Sequence, residues 1–288
     1  MSQQNLARQL NPKMTFSFLH LSDLHLLPEA DGQVLGQIHY AKARAALRMA
    51  SMLEIAPKFV LITGDLAHRE EIGSYELLKT LMRDIEAQFG VPVLLGVGNH
   101  DDRGHLRAVI HGQTANSTPY FYSQRIAFEP NASVRVIMLD TQVTGKTRGE
   151  VSPEQLVWLS EQLAQSTERD TILALHHAPL PVTIRTFQPH QLGNAAALAA
   201  VIAPYADRIL GLLHGHIHYA YAGVFAGVLC ASAAGTAFTL DPTSQSGLRI
   251  MSGCGFNVVH VVDGQMLVEP IMLPGEVSEL KYDKVPFD

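Results

Sequence analysis

Five times along this chain a short apolar run ends abruptly in a side chain of the kind that binds metal ions. Phe16-Ser17-Phe18-Leu19-His20-Leu21 leads into Ser22-Asp23-Leu24-His25, and Phe59-Val60-Leu61-Ile62-Thr63 leads into Gly64-Asp65. Val91-Pro92-Val93-Leu94-Leu95-Gly96-Val97 delivers Gly98-Asn99-His100-Asp101-Asp102, and Thr171-Ile172-Leu173-Ala174-Leu175 delivers His176-His177. The fifth run, Ile209 to Leu213, ends in His214-Gly215-His216-Ile217-His218. Apolar runs without alternation are the pattern of strands covered on both faces. Open α/β sheets bind ligands just beyond the carboxyl ends of such strands. In the fifth run, strand alternation would send all three histidines to one face. A turn at Gly215 would instead let two of them converge on a pair of metal ions.

Each segment alone has an ordinary reading. Asp65 could cap a turn, His214, His216 and His218 could be hydrogen-bonded loop residues, and a lone Asp-x-His is common. Asn99, His100 and Asp101 are harder to explain by structure, because polar residues directly after a strand pack against nothing. The joint pattern is what constrains the chain.

Helical spacing fills the gaps between the runs. His39 to Leu53 places Ala43, Ala46, Leu47 and Ala50 on one face, and Ser74 to Phe89 does the same with Leu77, Leu78, Leu81, Met82 and Ile85 before Gly90 stops it. Ser152-Pro153-Glu154-Gln155 opens a third helix with Ser at the N-cap and Pro at N1. Asn194 to Tyr205 is a fourth, and from Gly227 onward alternating Val-rich segments read as hairpins. With no internal repeat or linker, a single α/β domain over residues 14–288 is expected, behind a loose polar tail at 1–13.

Composition narrows the function. A chain of 288 residues with 47% hydrophobic content can bury a sizeable core. Its net charge of −6, with scattered basic residues, argues against nucleic acid or an anionic membrane as partner. Without a secretory signal or an unbroken apolar span, a soluble cytoplasmic protein is expected. Cys230 and Cys254 lack paired spacing and read as buried free thiols, with a single disulfide as the alternative. The segment Ala220 to Gly235 carries Tyr221, Val224, Phe225, Val228 and Leu229, which suits either a homodimer surface or packing onto the inner sheet.

The ordered set Asp-x-His, Gly-Asp, Gly-Asn-His-Asp, His and Gly-His-x-His resembles the calcineurin-like metallophosphoesterase superfamily over roughly residues 16 to 220. Ser22–His25, Thr63–Ala67, Gly98–Arg103 and Leu175–Pro181 look like the bacterial class III cyclic nucleotide phosphodiesterases. The resemblance implies a four-layer α/β/β/α sandwich with two metal ions at one end. Asp23, His25, Asp65 and His218 would bind the first ion; Asp65 would bridge to the second, completed by Asn99, His176 and His216. His177 is the alternative to His176. Nitrogen and oxygen donors without thiolate suit Mn, Fe, Co or Zn. Two such ions about 3.5–4 Å apart can generate a hydroxide for in-line attack on phosphorus.

By the same resemblance, His100 would face the leaving-group oxygen as a proton or hydrogen-bond donor, with Asp101 orienting it. Asn99, His100 and His218 would touch substrate, while His214 would either support the ligands from behind or be a satisfied core histidine. The implied reaction is hydrolysis of a small phosphodiester, 3′,5′-cAMP first and 2′,3′-cyclic nucleotides next. Glycerophosphodiesters or phosphomonoesters are the alternative, and a non-catalytic scaffold is the third reading. Loops near residues 28–38, 103–125 and 183–193 are expected to shape specificity.

Overall fold

The computed structural model describes residues 15–130, 132–165, 169–244 and 247–283, so the expected tail at 1–13 lies outside it. The chain begins with β1 (Phe16–Leu21), the small hairpin β2 (Gln33–Val34) and β3 (Gln37–Ile38), and helix α1 (His39–Met52). There follow β4 (Pro57–Thr63), α2 (Ile72–Phe89), β5 (Val93–Gly96) and α3 (Arg103–His111). The middle comprises β6 (Tyr122–Glu129), β7 (Ala132–Met138), α4 (Pro153–Ala164), β8 (Thr171–Ala174), α5 (Ala195–Ile202) and β9 (Ile209–His214). The last third supplies β10 (Tyr221–Phe225), β11 (Val228–Ser232), β12 (Thr239–Leu240), β13 (Leu248–Met251), β14 (Gly255–Val262), β15 (Gln265–Met272) and β16 (Glu279–Asp283).

Two mixed sheets form the centre. One runs β15-β14-β1-β4-β5, with β1, β4 and β5 parallel; the other runs β10-β11-β9-β8-β7-β6, with β11, β9, β8 and β7 parallel. Alternation along each buried strand explains the continuous apolar runs. In β4, Phe59 and Leu61 face the opposite sheet while Val60 and Ile62 face helices α1 to α3. In β9 an irregularity in the pairing with β8 between Ile209 and Gly211 interrupts the alternation, so Leu210 and Leu213 face inward while Ile209 and Leu212 meet α4 and α5. Phe18 stacks on Phe59 at 4.3 Å in the layer between the sheets. Burying each such side chain contributes roughly 1.5–3 kcal/mol. The result is the expected α/β/β/α sandwich.

The structure departs from the sequence reading in three places. Residues 103–111, read as part of a loop, form α3: Asp102 caps it by accepting from the His105 amide at 2.6 Å, and Gly112 ends it at φ 62°. The helix expected from Asn194 to Tyr205 stops at Ile202 and continues as a 3-10 turn over Ala203–Arg208, because Pro204 offers no amide hydrogen. Finally, β12, β13 and β16 leave the main sheets and form a small sheet of their own. Its Leu240 and Leu248 join Phe187, Ile184 and Ile217 in a satellite core.

Of the five apolar residues named in the segment offered as a dimer surface, only Val224, on edge strand β10, is exposed; Phe225 and Val228 are buried against α4 and α5. Both cysteines are free and buried. Among the described residues, no helix is long and apolar enough to cross a membrane.

One buried ion pair ties the two halves together. Arg103, at the start of α3, reaches Asp140 just beyond β7 with Nε and Nη2 at 2.5 and 2.9 Å from the two carboxylate oxygens. Asp140 also accepts from the Tyr120 and Gln142 amides. Arg103→Ala would strand this carboxylate in the interior and should destabilise the protein by about 3–5 kcal/mol in urea unfolding. Replacing both partners with apolar residues should recover most of that loss. A penalty below about 1 kcal/mol for Arg103→Ala would place the pair among weak surface contacts instead.

Candidate metal centre and active site

The backbone turns sharply where β1, β4 and β9 end. Asp23, His25, Asp65, His216 and His218 all sit in the left-handed region, with φ between 43° and 72°. Outside glycine this conformation is uncommon, and strain of this kind costs roughly 1–3 kcal/mol per residue. The surrounding backbone imposes it. The Asp23 amide donates to Gly64 O at 3.1 Å and the His25 amide to Asp65 O at 2.9 Å, zipping the loops after β1 and β4 together. Within the second sheet the Gly215 amide donates to His176 O at 3.1 Å, and across the sandwich the His216 amide meets the Asp23 carboxylate at 3.1 and 3.2 Å. Of the two readings of the fifth run, the turn is the one realised.

Glycine makes one of these approaches possible. A Cβ on Gly98 would collide with the Asp65 carboxylate.

The turns gather the side chains. Asp23, His25, Asp65 and His218 are all buried, and their ligand atoms lie within 4.8 Å of one another. His25 Nε2 is 3.5 Å from Asp65 Oδ2 and 3.2 Å from His218 Nε2, which is itself 3.4 Å from Asp23 Oδ1. His176, His177 and His216 form a second buried group within the same limit. His176 Nε2 lies 3.3 Å from Asp65 Oδ1, so the two oxygens of one carboxylate face the two groups. Asn99 lines the cleft on which they open.

Backbone carbonyls fix the imidazoles. His176 Nδ1 donates to Thr63 O at 2.8 Å, His218 Nδ1 to Phe238 O at 3.0 Å, and His216 Nε2 to His190 O at 2.7 Å. Each bond leaves the other ring nitrogen of that histidine available to an ion, the arrangement that orients histidines at metal sites. His177 Nδ1 meets the Thr141 hydroxyl at 2.7 Å, and of the doublet it is His176 that stands against Asp65.

The electrostatics suit a cation. Burial works against the Asp65 charge, yet His176, His100 and His25 around it hold the carboxyl well below the usual range. Burial lowers His176, but Asp65 beside it lifts the imidazole to about 9, so a proton occupies ground where a positive ion fits. Burial and neighbouring imidazoles keep His25 and His216 well below their ordinary value, even against the pull of Asp65, leaving neutral rings. Asn99 Oδ1 is buried without a hydrogen-bond partner, and His176 Nε2 has only the Asp65 carboxylate, 3.3 Å away. Unsatisfied buried groups of this kind need an explanation, and a transition-metal ion is one this donor set accommodates.

Asp101 does not take the position expected of it. Its carboxylate lies beneath the loop, accepting from the amides of Gly98 at 2.8 Å, Leu66 at 3.0 Å and Ala67 at 3.0 Å and from the Tyr75 hydroxyl at 3.2 Å. The group that orients His100 is the His68 carbonyl, 2.9 Å from His100 Nδ1. Asp101 therefore shapes the loop that carries Asn99 and His100. His214 is a core histidine, fully buried with Nδ1 against Gly215 O at 3.0 Å.

The cleft holds about 340 Å³. His25, Asp65, Asn99, His100, His216 and His218 line it together with the apolar Val34, Leu35, Phe187, Leu240, Leu248 and Ile250, and the Phe187 ring lies 4.9 Å from that of His216. Two of the three expected specificity loops contribute, through Val34 and Leu35 and through Phe187 and His190. The small sheet was missed because its alternation reads like any hairpin. His68 was missed because its contribution to His100 is a carbonyl, which leaves no mark in a sequence.

This fold and site place the chain in the calcineurin-like phosphoesterase family, whose pattern matches residues 16–220. It is a metal-dependent phosphoesterase. Over 273 residues it is 33% identical to a cAMP/cGMP dual-specificity phosphodiesterase of Mycobacterium tuberculosis, covering 92% of this chain and 82% of that protein. It is 31% identical over 200 residues to a 3′,5′-cyclic adenosine monophosphate phosphodiesterase of Escherichia coli, covering 69% of this chain and 68% of that protein. A dimetal phosphatase from Danio rerio shares the fold with a TM-score of 0.62 at 18% identity, over 93% of this chain and 99% of that one.

The close approach at Gly98 gives a direct test. Gly98→Ala should displace the Asp65 carboxylate and sharply weaken metal retention after dialysis, with far-UV circular dichroism unchanged. Retention equal to wild type would show that the loop accommodates the methyl group.

Proposed function

We propose that this protein hydrolyses cyclic nucleotides at a pair of transition-metal ions, with 3′,5′-cAMP the foremost substrate and 2′,3′-cyclic nucleotides the next. The observation that carries the reading is the mixed lining of the cleft, in which a carboxylate and several imidazoles share the wall with apolar side chains. Its volume of about 340 Å³ falls within the ~300–1,000 Å³ typical of small-molecule sites. A cyclic phosphate suits the polar groups and a flat nucleobase the apolar ones. A glycerophosphodiester would leave the apolar wall uncovered. The activities of the Mycobacterium tuberculosis and Escherichia coli relatives support the same choice.

Asp23, His25, Asp65 and His218 would hold one ion, and Asp65, Asn99, His176 and His216 the other. When bound, Mn, Fe, Zn or Co would make water acidic enough to attack phosphorus at neutral pH and would offset the charge of the phosphoryl oxygens. The protein's own groups do the rest. Asn99 and His218 flank the phosphoryl position. His100, held through Nδ1 by the His68 carbonyl, turns Nε2 toward the cleft. Its imidazolium form keeps that bond and offers a second proton to the departing ribose oxygen. The apolar wall excludes water from the base side.

One experiment compares wild type and His100→Ala, both Mn-loaded, on cAMP, a 2′,3′-cyclic nucleotide, a glycerophosphodiester and a nitrophenyl diester. Wild type should show its highest kcat/KM on a cyclic nucleotide; a preference for the glycerophosphodiester would overturn the substrate assignment. The variant should lose about 10²–10⁴-fold on cAMP, whose leaving oxygen is a basic alkoxide, and far less on the nitrophenyl diester, which needs no proton to leave. Equal losses on both would remove the acid role from His100.

A further inference from the structure

A third group of imidazoles opens on the cleft beside the two already described. His25, His68 and His100 each offer a ring nitrogen, and these atoms lie within 4.8 Å of one another. Ring centroids are 4.7 Å apart for His25 and His100, 5.6 Å for His25 and His68, and 6.0 Å for His68 and His100. All three line the cleft. The His68 amide donates to Leu26 O at 2.8 Å, so the same pairing of the loops after β1 and β4 that sets Asp23 and Asp65 also sets His68. Its Nδ1 is buried without a partner. Behind it, His39 packs at 6.1 Å with its own Nδ1 taken by His25 O at 2.8 Å.

We propose that His68 and His100, with His25 beside them, form a third transition-metal site in the cleft, and that an ion bound there inhibits the enzyme. Imidazole donors favour Zn²⁺ and Cu²⁺ strongly over Mn²⁺. His25 already turns Nε2 toward Asp65 and His218, so the new site rests mainly on the nitrogens of His68 and His100 and completes its shell with water. It is the weakest of the three. Two carboxylates, Asp23 and Asp65, serve the whole cluster, and a third dication meets the charge of the first two. The ion captures His100 Nε2, the atom aimed at the leaving oxygen. The inhibitory half of the proposal rests on that role for His100, whereas the binding half does not.

Enzyme loaded with two equivalents of Zn²⁺ is dialysed against increasing radioactive Zn²⁺, for wild type and His68→Ala. Wild type should take up a weaker third equivalent. His68→Ala should keep the two tight ions, which shows it is folded, and lose the third. Zinc should inhibit wild type as the third equivalent fills. Relative to its own uninhibited rate, His68→Ala should need at least about tenfold more zinc, since even a ligand's supporting partner is worth that much. Mn²⁺ at the same concentrations, with Mn-loaded enzyme, should neither inhibit nor add a third equivalent. Absence of the third equivalent in wild type, or its persistence in His68→Ala, would overturn the site. Binding without inhibition would leave the site standing and overturn the part assigned to His100.

Discussion

The Asp65 carboxylate is the interaction on which the site depends. It is 2% exposed, at the end of β4, with Oδ2 toward His25 and Oδ1 toward His176. His25 comes from the first sheet and His176 from the second, so one side chain joins the sandwich at its working edge. Its Oδ1 also accepts from the His100 amide at 2.9 Å, which ties in the loop after β5. Moving a carboxylate out of water costs several kcal/mol unless opposite charge surrounds it. Here the compensation comes from imidazoles, and a cation between the two groups would complete it.

The rest of the fold holds this arrangement against its own tendency to relax. Five left-handed residues and a set of buried imidazoles would separate if the loops were free. They are held because the loops zip together by backbone bonds, and because both sheets are packed on both faces. On the neighbouring flank, the Arg103–Asp140 pair joins α3 to the end of β7, and Asp101 folds the intervening loop from beneath. Strain at the site is thus supported by packing some distance away.

Much of this was legible in the sequence, for physical reasons that differ by region. Buried strands announce themselves because both faces must be apolar, which made β1, β4, β8 and β9 readable. The candidate ligands followed because a carboxylate or imidazole directly after such a strand has nothing to pack against. What escaped detection acts through the backbone or through long-range placement. The carbonyls of Thr63, His68, His190 and Phe238 carry no side-chain signature, yet they orient His176, His100, His216 and His218. Asp101 stands next to His100 in sequence but beneath the loop in space, because three unpaired amides offered it better partners. The small sheet of β12, β13 and β16 could not be told from further strands of the main sheets by alternation alone.

The central claim, that one carboxylate serves two ions, is most directly tested by metal content. Wild type and Asp65→Ala, both verified as folded by circular dichroism, would be reconstituted with excess Mn²⁺, dialysed, and their elemental composition measured. Two ions per chain in wild type and loss of both in Asp65→Ala is the result this account predicts. A single ion in wild type, or one fully retained in Asp65→Ala, would contradict it.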